Sequence, residues 1–257
     1  MTAEPPATTG PRSAPALQRV AAQARFETLA VLRNGEQLLV SILLPAMLLL
    51  GLAYTSVPPL GPGRRIDIAV PGVLALCVLS SAFTGQAIAT GFDRRYGVLR
   101  LLGSTPLGRR GLLAAKSLAV LTVVALQFAA VGALGLALGW EPDWGGIPAA
   151  VATTLLGTFA LVALALLLGG TLRAEGVLAL ANLVWVALLA VGGVIVPVSQ
   201  LPEALQPVVS ALPSAALGEG LRAALGSGQA SVTAWLVLLA WAAAASALAS
   251  RLFRWSD

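Results

Sequence analysis

The side chains that could do chemistry in this chain are few, and their types are restrictive. Among 257 residues there is no histidine, one cysteine (Cys77) and one lysine (Lys116). A His-ligated zinc or haem, a Ser/His/Asp triad and a Cys/His pair all need an imidazole, so none can be built. A lone cysteine closes no intrachain disulfide. A phosphate loop of the form G-x-x-x-x-G-K-[ST] needs glycine directly before its lysine, and Ala115 precedes Lys116. No catalytic, cofactor-binding or metal site is expected in the chain. What remains is a run of charged, glycine and apolar residues from Phe92 to Leu107, closing at Lys116, and a proline-marked stretch from Gly193 to Arg222.

The elements that must position these residues follow from where charge is missing. Hydrophobic residues make up 58% of the chain and charged residues only 11%, which places it among integral membrane proteins. Six charge-free intervals run from Gln37 to Gly63, Ile68 to Phe92, Ser117 to Trp140, Trp144 to Leu172, Gly176 to Pro202 and Ala223 to Ser250. Each offers about 20 mostly apolar residues, enough to cross a hydrocarbon core of about 30 Å as a helix. The runs are continuous in Leu, Ala and Val rather than alternating, which excludes a β-barrel. The expected fold is an all-α integral membrane protein with six transmembrane helices.

Orientation follows from the basic residues. With the N-terminus in the cytoplasm, thirteen of sixteen fall on that side: Arg12, Arg19, Arg25, Arg33, Arg94, Arg95, Arg100, Arg109, Arg110, Lys116, Arg173, Arg251 and Arg254. Arg64, Arg65 and Arg222 fall outside. Both termini are therefore expected to be cytoplasmic, and the net charge of +5 needs no nucleic acid to explain it. Arginine outnumbers lysine 15 to 1, a bias that points to a GC-rich bacterium and thus to its plasma membrane.

Residues 1–16, rich in Pro, Thr and Ala, read as a disordered tail, with residues 17–257 as the membrane domain. From Leu17 to Gln37 apolar residues recur at roughly helical spacing among Arg19, Arg25, Glu27 and Arg33. This pattern fits an interfacial helix on the inner leaflet, or else a solvated cytoplasmic helix. Between the fifth and sixth spans, Pro197, Pro202, Pro207 and Pro213 punctuate a segment whose charge-free run from Glu203 to Glu219 is too short to span. It suits a re-entrant helical hairpin in the outer leaflet, or an ordinary external loop.

Polar residues within the spans are Ser80, Ser81, Thr84, Gln86, Gln127, Thr153, Thr154, Thr158 and Asn182. Hydrogen bonding to neighbouring helices or to their own backbone is the plain account of each. Gln86 and Asn182 are the candidates for a pathway or dimer seam, because a primary amide is harder to satisfy in a membrane than a hydroxyl. All eleven acidic residues lie outside the six intervals. An ion-coupled secondary transporter would keep an ionisable group in a span despite a cost of about 2.5–3.5 kcal/mol, so that class is disfavoured. A non-transporting membrane scaffold or assembly factor remains an alternative.

The run Asp93-Arg94-Arg95-Tyr96-Gly97-Val98-Leu99-Arg100-Leu101-Leu102-Gly103-Ser104-Thr105-Pro106 resembles the loop between helices two and three of ABC-2 type transporter permeases. Pro197, Leu201-Pro202, Pro213 and Arg222 are similar to that family's segment between helices five and six. The chain departs from the common pattern at Asp93 and Val98, where many members carry Glu and Thr. The likeness runs from about Leu17 onward and is closest to multidrug-type exporters.

The resemblance implies a membrane subunit that forms half of a translocation pathway. It implies a separate cytoplasmic ATPase subunit, which would hold ATP and magnesium, and a second permease copy or similar chain. The substrate implied is amphipathic or lipid-like. It further implies that the loop carries a cytoplasmic coupling helix docked in a groove of the ATPase. Val98, Leu99, Leu101 and Leu102 would supply its apolar contacts, with Arg100 among them. Gly97 would permit the sharp turn into it and Pro106 would stop it. Asp93, Arg94 and Arg95 would pair with each other or with the partner, whereas Arg109 and Arg110 read better as positive-inside anchors.

Overall fold

A computed structural model describes residues 14–253, apart from the side chains of Glu36, Gln37 and Arg109. Most of the expected tail, residues 1–13, lies outside the described residues, as do Arg254 and Asp257. The described chain is helical: α1 (Ala16–Arg33), α2 (Gly35–Tyr54), α3 (Arg65–Val78), a π-helical turn (Leu79–Gly85), α4 (Gln86–Arg95), α5 (Val98–Gly103), α6 (Gly108–Ala137), α7 (Ile147–Gly169), α8 (Ala174–Val191), α9 (Gln206–Ser210), α10 (Pro213–Ser227) and α11 (Val232–Leu252). No strand occurs among the described residues.

Five helical stretches are long and apolar enough to cross a membrane: Arg65–Arg95, Arg110–Ala137, Trp144–Gly169, Ala174–Val191 and Val232–Leu252. A sixth candidate is the pair α1 and α2, which meet at a bend of 70° and are long and apolar enough only when taken together. The two helices divide their work by composition. α2 is apolar around most of its circumference, as a helix surrounded by hydrocarbon must be, whereas α1 carries the charges and packs along α6.

Burial distinguishes the spans. α3 is enclosed along nearly its whole length, and α7 is covered along one side by α11, α10 and α4. α8 and α11 lie at the periphery and expose Leu178, Leu183, Val186, Leu236 and Leu239. Such contiguous apolar exposure requires lipid or another protein against it.

The second span is not a uniform α-helix. Seven residues, Leu79 to Gly85, take π-helical hydrogen bonding between α3 and α4. A π-turn widens the helix and shifts the faces on either side of it. Its two serines are used across the bundle: the Trp185 indole on α8 donates to Ser80 Oγ at 2.9 Å, and Ser81 Oγ donates to Gln127 Oε1 on α6 at 3.1 Å. Gln127 Nε2 in turn donates to the Ser41 carbonyl of α2 at 3.0 Å. Gln127 is thus a buried bracket joining three spans, its amide satisfied at both ends.

The proline-marked segment folds as short helices. Pro197 precedes a 3₁₀ turn, Val198–Gln200, and Pro213 opens α10 at the first position, where its missing N–H costs nothing. α10 is no exposed connection: it is buried among α3, α7 and α11. Arg222 fixes its approach by donating to the carbonyls of Gly193, Val194 and Ile195, the turn that leaves α8, and by pairing with Glu219 at 3.0 Å. Glu219 also accepts the Val198 N–H at 3.1 Å. Pro202 lies in the irregular stretch between the 3₁₀ turn and α9.

At the other side of α10 the fit is set by a glycine. A Cβ built on Gly146 would sit 1.8 Å from the Ala224 carbonyl oxygen, far inside any contact distance and against backbone that cannot swing away. Gly146→Ala is therefore expected to lower stability by about 1–3 kcal/mol or more. Gly132→Ala, which meets nothing within 4 Å, should be near neutral. Thermal unfolding of both in detergent is the measurement, and equal midpoints would refute the close approach.

Candidate functional site

The candidate site is built at one end of the second span, where α4 finishes and α5 begins. Tyr96 N–H still bonds back to Phe92, but Gly97 takes φ +76°, the left-handed conformation that glycine adopts without a Cβ penalty. The chain turns out of α4 there, and the Leu101 N–H bonds to the Gly97 carbonyl to start α5. Termination is local as well. Ser104 and Thr105 hydroxyls donate back to the Leu101 and Leu102 carbonyls at 2.7 and 2.6 Å, and Pro106 follows two residues after the C-cap.

The two faces of α5 differ in kind. Residues three apart share a helix face: Leu99 and Leu102 point into the protein, Leu99 wholly buried and Leu102 packed against the core, while Val98 and Leu101 point out. Leu101 is 69% exposed, and Tyr96, 72% exposed, stands beside this face with its ring stacked on Phe92. Arg100 is also exposed. The four apolar residues that the sequence groups together therefore do two jobs. Leu99 and Leu102 seat the helix, and Val98 and Leu101 form an unpartnered apolar surface.

Asp93, Arg94 and Arg95 each reach a different element of their own chain. Asp93 Oδ2 lies 3.4 Å from Lys116 Nζ on α6, and Glu27 Oε2 on α1 lies 3.1 Å from the same nitrogen. The Lys116 side chain is only 2% exposed, so this is a buried carboxylate–ammonium–carboxylate triad. Arg94 donates to the Leu172 and Gly169 carbonyls at 2.7 and 3.4 Å, capping the C-terminal end of α7, where a cation is favoured. Arg95 pairs with Glu175 in the first turn of α8. On the far side of the loop, Arg19 of α1 donates to the Pro106 carbonyl. The end of α4 is consequently a hub tied to α1, α6, α7 and α8, with α5 mounted directly on it.

Sequence reasoning did not find the triad. Lys116 counts there as one more cytoplasmic cation, yet it is the one lysine in an arginine-rich chain and directly precedes the third charge-free interval. A compact ammonium fits a narrow buried slot between two carboxylates that a planar guanidinium would not.

Gln86 and Asn182 come to the same height. Arg95 meets Glu175 and Ser80 meets Trp185, so α4 and α8 run antiparallel, and Gly91 packs on Val177. That register sets residue 86 level with residue 182. Asn182 Nδ2 donates to its own helix at Leu178 O, 2.9 Å away, while Gln86 Oε1 is buried with no hydrogen-bond partner among the described residues. Thr153 and Thr154 bond the carbonyls four residues back, and the Trp235 indole donates to Thr153, whereas the buried Thr84 and Thr158 hydroxyls have no hydrogen-bond partner among the described residues. Among the described residues no three His, Cys, Asp or Glu side chains cluster as metal ligands would.

No curated protein matches the chain. A family model described as ABC-2 family transporter protein matches residues 64–251, a range that contains the second to fifth spans, α5, the buried α10 and all but the last residue of the sixth span. The chain belongs to the ABC-2 transporter family.

Proposed function

We propose that the protein is the permease subunit of an ATP-binding cassette exporter, one half of a translocation pathway driven by a separate ATPase subunit. The observation that carries this reading is α5: a short helix seated by Leu99, turned at Gly97, and presenting Val98 and Leu101 outward at the end of the bundle richest in cations. In a chain that belongs to this family, that surface is the part suited to a soluble partner. ATP and magnesium would reside in the partner.

The mechanism follows from the attachments of α5. Force applied to its outer face passes through buried Leu99 and the Gly97 turn to α4. The three charged residues at the end of α4 then share the load among α1, α6, α7 and α8, so the spans move together. The basic-residue distribution supports placing this end in the cytoplasm of a bacterial cell. The membrane domain runs from α1 onward, and α10 with its flanking turns enters the opposite leaflet as a re-entrant hairpin. Its backbone polar groups are shielded there by α3, α7 and α11, as such a position requires. A second copy or similar chain would meet the peripheral α8 face, where Asn182 is exposed at the level of the buried Gln86 carbonyl. Substrates would be amphipathic.

The experiment is reconstitution in liposomes with and without the ATPase subunit. The expected result is ATP-dependent export only when both are present, and no transport by the isolated chain along a proton gradient. Gradient-driven transport by this chain alone would support an ion-coupled carrier with the Lys116 triad at its centre. Neither form of transport would leave the scaffold reading.

A further inference from the structure

A cavity of about 350 Å³ opens between the first turns of α6 and the last turns of α7 and α11, at the same end of the bundle as α5. Its size lies within the roughly 300–1,000 Å³ usual for small-molecule sites. Leu112, Leu166 and Phe253 make its walls apolar, Arg110 stands at its edge, and Ser246 and Ser250 line it from α11. Among the described residues Arg110 makes no ion pair and no carboxylate lines the cavity. Ser246 Oγ is buried without a hydrogen-bond partner among the described residues. Arg251, exposed in the last turn of α11, adds a second cation close by.

The height of the cavity matters as much as its lining. It lies where three spans end together, one beginning at Arg110 and the others finishing at Gly169 and Leu252. In a bilayer that level is the junction of hydrocarbon and headgroups. An apolar slot with a cation at its rim and no opposing anion among the described residues complements a molecule with hydrocarbon tails below a negative headgroup. Basic pockets between spans recognise anionic lipid headgroups in this way, and an arginine fork matches phosphate oxygens in pairs.

We propose that this cavity is a binding site for an anionic phospholipid, with Arg110 on the phosphate, Ser246 offering a hydroxyl beneath it, and the acyl chains along Leu112 and Leu166. The site is separate from the coupling surface and does not depend on its assignment. A lipid there would wedge α6 against α7 and α11, the spans on either side of the slot.

The test uses the full chain in mixed micelles containing equal phosphatidylglycerol and phosphatidylcholine, with retained lipid read by native mass spectrometry. The expected result is selective retention of phosphatidylglycerol. It should fall at least fivefold in Arg110→Gln and in Ala249→Phe, which fills the cavity, but persist in Arg173→Gln, a basic residue at the same end outside the lining. Glycerol phosphate in excess should not displace it. Equal retention of the two lipids, wild-type retention by Arg110→Gln, or displacement by glycerol phosphate would each overturn the proposal. The exposed Arg110 side chain makes its variant informative even if Ala249→Phe fails to fold.

Discussion

Lys116→Met is expected to lower the protein's stability by about 3 kcal/mol. The substitution keeps an unbranched chain of similar length in the buried slot but leaves Glu27 and Asp93 facing one another without the ammonium that lies 3.1 and 3.4 Å from them. Removing one partner of a buried ionic group strands the others. The figure sits at the low end of the usual range because Asp93 keeps a third of its side chain exposed. For a chain of this size the loss corresponds to a fall of roughly 6–12 °C in the unfolding midpoint. Adding Glu27→Gln and Asp93→Asn should recover much of it, since neutral partners no longer repel. A midpoint unchanged in Lys116→Met would mean that the triad does not staple α1 to the second and third spans.

The second large effect is functional and separates the two faces of α5. Leu101→Asp puts a carboxylate on a side chain that already meets solvent, so folding should be untouched. In the proposed assembly with an ATPase that carboxylate would be desolvated at the docking surface, a cost of several kcal/mol when unpaired. Co-purification of the ATPase should fall more than tenfold, and ATP-driven export with it. Leu99→Asp buries the same charge inside this chain, where Leu99 has no exposed surface, and should reduce the amount of folded protein before any partner is met. If Leu101→Asp leaves both co-purification and export at wild-type levels, α5 is not the coupling helix.

The contrast between these leucines marks what was legible in the sequence. Long apolar intervals are read reliably because crossing a bilayer imposes a length, and the Arg65–Arg95, Arg110–Ala137 and Val232–Leu252 helices match charge-free runs. The turn at Gly97 was readable for the same kind of reason, since only a few backbone shapes suit it. Which of Val98, Leu99, Leu101 and Leu102 faces outward was not readable, because all four are apolar and the rotation of a six-residue helix depends on what lies behind it. The partners of Asp93, Arg94 and Arg95 were hidden likewise. Lys116, the α7 carboxyl end and Glu175 are 23 to 80 residues distant in the chain, and pairing at that range is decided by packing. The π-turn had a faint signal in Ser80-Ser81 and Thr84-Gly85, but polar residues in a span do not by themselves specify an extra residue per turn.

Cross-linking of the ATPase to a single cysteine at position 101, in a Cys77→Ala background, tests the coupling claim most directly. Cys77 is buried in α3, so its replacement removes the only competing thiol without touching the surface. The account predicts a cross-link at position 101 and none at position 144, where Trp144 is exposed at the opposite end of the bundle. A cross-link at 144 with none at 101 would contradict both the coupling role of α5 and the orientation of the chain.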